Sequence, residues 1–217
     1  MNTVNIIQLH GFASSPASSK AAYFREKLLQ KDIHLRVPDL NVPDFEHLTL
    51  TAMIERTTQE IAACPPGEVV LIGSSMGGAV AMHTFDRKPE TAQRVHKMVL
   101  LAPAIDFRAN RLNQMGEAGL QRWKESRWLE VEHYAYNEKR QIHYGLIEDL
   151  EQYDGYSVTI DIPILLIHGT HDESVNYRGS VRFAESRPNV KLHLIDADHS
   201  LSAVLPEIWS HIEAFLW

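Results

Sequence analysis

Short runs of aliphatic and β-branched residues recur along the chain at the length of β-strands. Most are apolar at consecutive positions, which is typical of strands covered by helices on both faces. Between them, apolar residues recur at intervals of three and four, as in amphipathic helices. The predicted strands cover 4–9, 33–37, 69–72, 98–101, 164–167 and 190–195, and the predicted helices cover 20–31, 48–63, 76–87, 177–185 and 203–215.

This alternation predicts an α/β fold with about six mainly parallel strands flanked by helices. The chain shows no repeat, no low-complexity tract and no linker rich in Gly, Ser or Pro. Residues 1–217 are therefore predicted to form one domain.

Segment 106–160 interrupts the alternation, because it holds no convincing strand. Patterns around 112–128 and 137–153 indicate two or three helices, so we predict a helical cap or lid inserted in the domain. Its aromatic residues would either pack it onto the domain or line a substrate pocket. They are Phe107, Trp123, Trp128, Tyr134, Tyr136, Tyr144, Tyr153 and Tyr156, and the pocket alternative would also involve Met115 and Leu146.

Composition narrows the class of protein. A hydrophobic fraction of 44% excludes global disorder, and the net charge of −7 makes nucleic acid an unexpected partner. The single cysteine, Cys64, cannot form an internal disulfide, which favours a cytoplasmic location. No run approaches the roughly 18 apolar residues of a membrane span, and the N-terminus lacks the pattern of a signal peptide. We therefore expect a soluble, unprocessed protein.

The strongest motif is G-x-S-x-G at 73–77, between a predicted strand and a predicted helix. A serine at such a turn is held in a strained conformation with its hydroxyl exposed, so Ser75 is the candidate nucleophile. The Met76 N–H, at the helix start, would help to stabilise an oxyanion. Alternatively, the motif arises by chance or binds phosphate without catalysis.

A serine nucleophile needs a histidine base and an acid that orients it, in the chain order Ser, Asp or Glu, His. Asp172 follows strand 164–167 and is the candidate acid, with Asp106 ranked second. His199 follows the last strand and is the candidate base. His168 and His171, beside the acid, are interpreted as packing or loop residues.

The loop after the first strand should supply the second oxyanion donor. Here it reads His10-Gly11-Phe12, in which Gly11 permits close backbone approach and the Phe12 N–H is the predicted donor. No cofactor and no metal site are implied.

In this order, His10-Gly11-Phe12, the motif at 73–78, Asp172 and His199 make the chain resemble the α/β-hydrolase superfamily. The stretch 9–21 resembles small bacterial YqiA-type esterases, and the motif is similar to that of ABHD10-like acyl thioesterases. The resemblance implies a compact α/β-hydrolase fold without the usual N-terminal antiparallel hairpin.

The resulting hypothesis is a serine esterase or thioesterase acting on short- to medium-chain acyl groups, with a small-molecule ester or thioester as substrate. Two alternatives stay open. One is a carbon–carbon bond hydrolase with the same triad, whose pocket would use polar groups such as Arg108, Arg111 or His143. The other is a non-catalytic ligand-binding protein. The oligomeric state is not predicted.

Overall fold

A parallel six-stranded sheet forms the centre of the protein. The computed structural model describes residues 4–133 and 135–217, so the aromatic Tyr134 of the predicted cap lies outside the described residues. The strands of the sheet are β1 (Val4–Leu9), β2 (Leu35–Arg36), β3 (Glu68–Ser74), β4 (Val95–Leu101), β7 (Ile164–Gly169) and β8 (Val190–Ile195). They are arranged in the order β2-β1-β3-β4-β7-β8, and all neighbouring pairs are parallel.

Helices cover both faces of this sheet, as the apolar strands require. Ser18 caps the first of them by accepting a hydrogen bond from the Ala21 N–H. The helices are α1 (Ser19–Leu29), α2 (Leu50–Ala62), α3 (Met76–Arg87), α4 (Pro89–Ala92), α5 (Phe107–Ser126), α6 (Gly145–Leu150), α7 (Arg178–Glu185) and α8 (Leu205–Leu216). In the described part of the chain, no helix is both long enough and apolar enough to cross a membrane.

The core has two halves, one on each face of the sheet. Alternate residues of a strand point to opposite faces. In β1, Ile7 and Leu9 pack in the half that contains side chains of α2, α3, α5 and α6, whereas Ile6 packs with Phe24 of α1 and Trp209 of α8.

The expectation for segment 106–160 is wrong in one respect, because the segment contains a β-hairpin as well as helices. Strands β5 (Trp128–His133) and β6 (Glu138–His143) pair in antiparallel register between α5 and α6. The hairpin is fastened to the domain by backbone and side-chain hydrogen bonds. The His143 N–H donates to the Glu46 carbonyl, and the Trp123 indole N–H donates to the Ile142 carbonyl.

Acid should destabilise the fold through His83 of α3. Its side chain is 2% exposed and packs edge-on against Tyr153. Burial, with a smaller effect of the nearby Arg87 charge, lowers the pKa of His83 to about 4. Between pH 6.5 and 4 the unfolded chain therefore binds a proton that the folded chain does not, so stability falls as pH falls, by about 3 kcal/mol for this group.

Urea unfolding followed from pH 7 to pH 4 checks this prediction. His83→Phe removes the buried titrating group and should flatten the dependence of unfolding free energy on pH. His34→Phe, at an exposed position, is the control and should keep the wild-type slope. Equal slopes for wild type and His83→Phe would contradict the assignment.

Candidate active site

The turn between β3 and α3 presents Ser75. Its backbone has φ 53° and ψ −118°, the strained conformation that the motif predicts. The glycines around it are required by close packing. A Cβ on Gly73 would collide with the Gly77 carbonyl, and one on Gly77 would collide with the Leu9 carbonyl of β1. The motif therefore presses the start of α3 against two strand ends and leaves the serine at the carboxyl edge of the sheet.

Three loops at this edge bring Ser75, His199 and Asp172 together. The Oγ of Ser75 lies 3.1 Å from Nε2 of His199, and Nδ1 of His199 lies 2.7 Å from Oδ2 of Asp172. The imidazole is partly exposed, whereas the carboxylate is fully buried. The distances suit a chain of two hydrogen bonds, in which Nδ1–H of His199 donates to the Asp172 carboxylate and Nε2 accepts from the Ser75 hydroxyl.

The Asp172 carboxylate is held by four donors. Oδ1 accepts from the N–H groups of Ser174 and Val175, and Oδ2 accepts from His199 and from Nε2 of His168, 3.0 Å away. Burial opposes its ionisation, but the hydrogen bonds from His168, His199 and Val175 outweigh burial and hold the pKa of Asp172 well below its usual range. The acid is therefore an anion with a fixed orientation.

His168 is more than the packing residue that the sequence indicates. It is fully buried at the end of β7, and its Nε2 faces both the Asp172 carboxylate and the Val175 carbonyl, so Nε2 carries the proton. Nδ1 accepts from the Ser180 hydroxyl at 2.7 Å. A buried polar residue near the end of an apolar strand needs hydrogen-bond partners. This requirement is the sequence signal from which a role for His168 beside the acid could have been predicted.

The competing acid, Asp106, has a structural role. It caps α5 by accepting a hydrogen bond from the Ala109 N–H. Asp198 accepts hydrogen bonds from Ser200 and Leu201 and so shapes the turn that carries His199. His171 is exposed, its Nε2 lies 2.8 Å from Oδ1 of Asp196, and it is a loop residue, as predicted.

The two backbone segments that carry the predicted oxyanion donors adjoin Ser75. The Met76 N–H belongs to the first residue of α3, where N–H groups have no acceptor within the helix. The His10-Gly11-Phe12 loop passes so close that a Cβ on Gly11 would come to 3.2 Å from the Ser75 Cβ. An oxyanion formed on a substrate bound to Ser75 would therefore lie close to both backbone segments.

His10 fixes the Gly11–Phe12 peptide. The imidazole is buried, and its Nε2 accepts a hydrogen bond of 3.0 Å from the Leu40 N–H. The Asp39 carboxylate lies farther from this atom, at 3.4 Å, and a backbone N–H can only donate. Nδ1 therefore carries the proton and donates to the Gly11 carbonyl at 2.9 Å. The Gly11 carbonyl belongs to the same peptide group as the Phe12 N–H, so His10 orients this predicted oxyanion donor.

Replacing His10 with alanine should lower kcat for ester hydrolysis by about 10- to 100-fold, less than the 10²- to 10³-fold typical of losing an oxyanion donor. The donor would remain but lose its fixed orientation. His10→Asn can still donate to the Gly11 carbonyl from its side-chain amide and should retain more activity. Steady-state kinetics on a p-nitrophenyl ester check this, and equal losses in both variants would argue against the orienting role.

A cavity of about 1180 Å³ is lined by Ser75 and His199. On one side it is lined by Phe12 and Phe107, with the Arg111 guanidinium 4.7 Å and 4.9 Å from their ring centres. The Phe12 ring also contacts Phe45, which contacts His133 of the hairpin. A row of rings thus joins the oxyanion loop to the hairpin.

Among the aromatic residues of the predicted cap, Phe107 lines the cavity. Four other residues considered for a lid, Met115, Trp123, Trp128 and Leu146, are instead packing residues. Trp123 and Leu146 are buried in the core, and Met115 packs against it. Trp128 packs on the His143 ring of the hairpin. Segment 106–160 therefore packs mainly onto the domain and contributes α5 to the cavity wall.

Comparison with known proteins agrees with this architecture. The bovine (Bos taurus) palmitoyl-protein thioesterase ABHD10, mitochondrial, is 26% identical over 141 residues, which are 62% of this chain and 45% of the relative. The chain thus matches less than half the length of that relative.

Solved structures share the fold. A protein of Agrobacterium vitis S4 has a TM-score of 0.84 at 24% identity, covering 97% of this chain and 87% of its own. Mouse alpha/beta hydrolase domain-containing protein 10 has a TM-score of 0.81 at 20% identity, covering 98% and 89%. Est1E of Butyrivibrio proteoclasticus with ferulic acid has a TM-score of 0.75 at 18% identity, covering 98% and 90%. The fold is that of the α/β hydrolases.

The family comparison covers nearly the whole chain. Residues 5–216 match the model of UPF0227, described as an uncharacterised protein family. The chain belongs to this family, UPF0227.

Proposed function

We propose that the protein is a serine hydrolase that cleaves carboxylic esters or thioesters of short- to medium-chain acyl groups. The observation that carries the proposal is the continuous contact from the Ser75 hydroxyl through His199 to the Asp172 carboxylate. The superfamily fold and the name of the bovine relative, a thioesterase, support the same reaction class. A cytoplasmic location stays a prediction, and the relative's name places that protein in mitochondria.

The proposed reaction has two acyl-transfer steps. His199 accepts the Ser75 proton while Oγ bonds to the substrate carbonyl carbon, and the Phe12 and Met76 N–H groups bind the oxyanion. Asp172 stabilises the imidazolium. The bond to the leaving alcohol or thiol then breaks, and His199 donates the proton to it. Water, deprotonated by His199, cleaves the acyl-enzyme by the same route.

The lining of the cavity beside Ser75 supports a small acyl group. Phe12 and Phe107 offer an apolar surface beside the nucleophile, and Arg111 covers both rings. An acyl chain that extends past these rings would meet the guanidinium. The relative's name concerns palmitoyl groups, so the test must include long chains.

Hydrolysis of p-nitrophenyl esters from acetate to palmitate, with fluorophosphonate labelling of the same preparation, tests the proposal. We expect labelling of Ser75 and a maximum of kcat/KM at a short or medium chain. A maximum at palmitate would contradict the chain-length range alone. Thioesters of the best chain length then show which of the two bonds is preferred.

Other outcomes would favour the alternative functions. Labelling without turnover of any ester would favour a carbon–carbon bond hydrolase, for which Arg111 lines the cavity, whereas His143 lies on the hairpin between Trp128 and Arg127. Neither labelling nor turnover would favour a binding protein.

A further inference from the structure

The cavity extends to both faces of the sheet. Ile7 and Leu9 point to the half of the core that includes Phe107, so Gln8, between them, points to the opposite face together with Ile6. Gln8 lines the cavity nevertheless. Ser75 and His199 thus lie between an aromatic lobe on one side and a second lobe, near the starts of α1 and α8, on the other.

The second lobe is lined by polar groups, and we call it the polar lobe. Its rim is exposed, whereas Gln8 is 1% exposed at its inner end. Its polar lining residues are Gln8, Ser15, Ser19, Lys20, Ser200 and Ser202.

Gln8 is the unusual member of the polar lobe. Both Oε1 and Nε2 are buried without a hydrogen-bond partner among the described residues. Burying a carboxamide in this state is costly, so such groups normally have a protein or ligand partner. A side chain that offers one acceptor and two donors suits a ligand whose groups both donate and accept.

The charges of the polar lobe favour a neutral ligand. Lys20 donates from Nζ to the Ser200 carbonyl at 2.6 Å, and the Asp198 carboxylate, also at the cavity wall, offsets its charge. The Lys20 and Asp198 charges oppose each other, so the polar lobe has no net electrostatic preference for an anion or a cation. Serine hydroxyls and a carboxamide, by contrast, match the hydroxyl groups of a polyol.

We propose that the polar lobe binds the leaving group of the substrate and that this group is a polyhydroxy alcohol, such as a glycerol or sugar moiety. This inference rests on the proposed function. The leaving oxygen must lie within reach of His199 Nε2, and Ser200, next in the chain, begins the rim of the polar lobe. His199 gives the proton taken from Ser75 to this oxygen as its bond to the acyl carbon breaks, so the products are the acyl-enzyme and the free polyol.

Two butanoate esters that differ only in their leaving alcohols test the proposal. Glycerol 1-butanoate and propyl butanoate share the acyl group, and their alcohols differ by two hydroxyls. For wild type we expect kcat/KM to be about tenfold or more higher for the glycerol ester, because hydroxyl-binding sites discriminate against substrates that lack the hydroxyl. In Gln8→Met, of similar length, the ratio should fall towards one. Gln30→Met, at an exposed position, is the control and should keep the wild-type ratio.

A binding measurement separates this inference from the proposed function. Glycerol titrated into ¹⁵N-labelled wild-type protein should shift the Gln8 side-chain amide signals saturably. If Ser75-dependent hydrolysis occurs but these signals do not shift, the polyol site is wrong and the hydrolase proposal stands. If they shift but no ester is hydrolysed, the leaving-group role and the hydrolase proposal both fail. A wild-type ratio near one, or one unchanged in Gln8→Met, would overturn the inference, and the wild-type measurements decide it even if the variant does not fold.

Discussion

Ser75→Ala is expected to lower kcat for p-nitrophenyl butanoate by about 10⁵-fold or more, to the level left by the oxyanion donors and binding alone. The loss should be this large because Oγ is the atom that forms the acyl-enzyme, and alanine leaves no group from which His199 could take a proton. KM should change little if the cavity keeps its shape. Steady-state kinetics and loss of fluorophosphonate labelling measure the effect.

The neighbouring serine offers a matched control for this experiment. Ser74 is buried at the end of β3, and Ser74→Ala should retain labelling and activity within about threefold. Thermal unfolding should show both variants folded, since Ser75→Ala removes a single oxygen and keeps the turn's backbone contacts. If Ser75→Ala kept wild-type turnover, the nucleophile would have to be another residue.

Asp172→Asn should lower kcat by about 10⁴-fold, as expected when the base is held in the wrong tautomer. The N–H groups of Ser174 and Val175 bond to Oδ1, so they would hold the amide oxygen of the asparagine there. The NH₂ group would then face His199. Nδ1 of His199 would then have to accept a hydrogen bond from this NH₂ group, so the proton of the imidazole would lie on Nε2. An Nε2 that already carries a proton could not accept one from Ser75.

Asp106→Asn is the matched control for the acid. Asparagine caps helices about as well as aspartate, so α5 should keep its cap and the protein its proposed activity. kcat measured for both variants at one pH decides between the two acids. A larger loss in Asp106→Asn than in Asp172→Asn would reverse their roles.

The main sheet could be predicted from the sequence because its strands are continuous apolar runs. β1 and β8 have the predicted bounds, whereas β3 extends its predicted bounds at both ends and β4 and β7 each extend theirs at one end, by one to three residues. β2 is shorter than predicted, because pairing with β1 involves only Leu35 and Arg36 at the edge of the sheet. The positions of Ser75, Asp172 and His199 follow from strand ends, which meet at one edge of a parallel sheet.

The hairpin β5–β6 could not be predicted in the same way. Its strands carry charged residues at exposed positions, and Lys139 pairs with Glu130 across the ladder. Partners elsewhere in the fold, such as the Glu46 carbonyl that accepts from the His143 N–H, hold it against the domain. Long-range partners also explain His10, whose acceptor role depends on Leu40, 30 residues away. Neither a period nor a motif encodes such contacts.

The row of rings from Phe12 through Phe45 to His133 connects the loop after β1 to the hairpin, two parts of the protein that are far apart in the sequence. A compound wedged behind the hairpin would displace these rings and, with them, the peptide that carries the Phe12 N–H. Such a compound would inhibit without entering the cavity, and its kinetic signature would be a lower kcat at unchanged KM. The face of the hairpin that packs against Phe45 is thus a place at which turnover could be controlled independently of substrate binding.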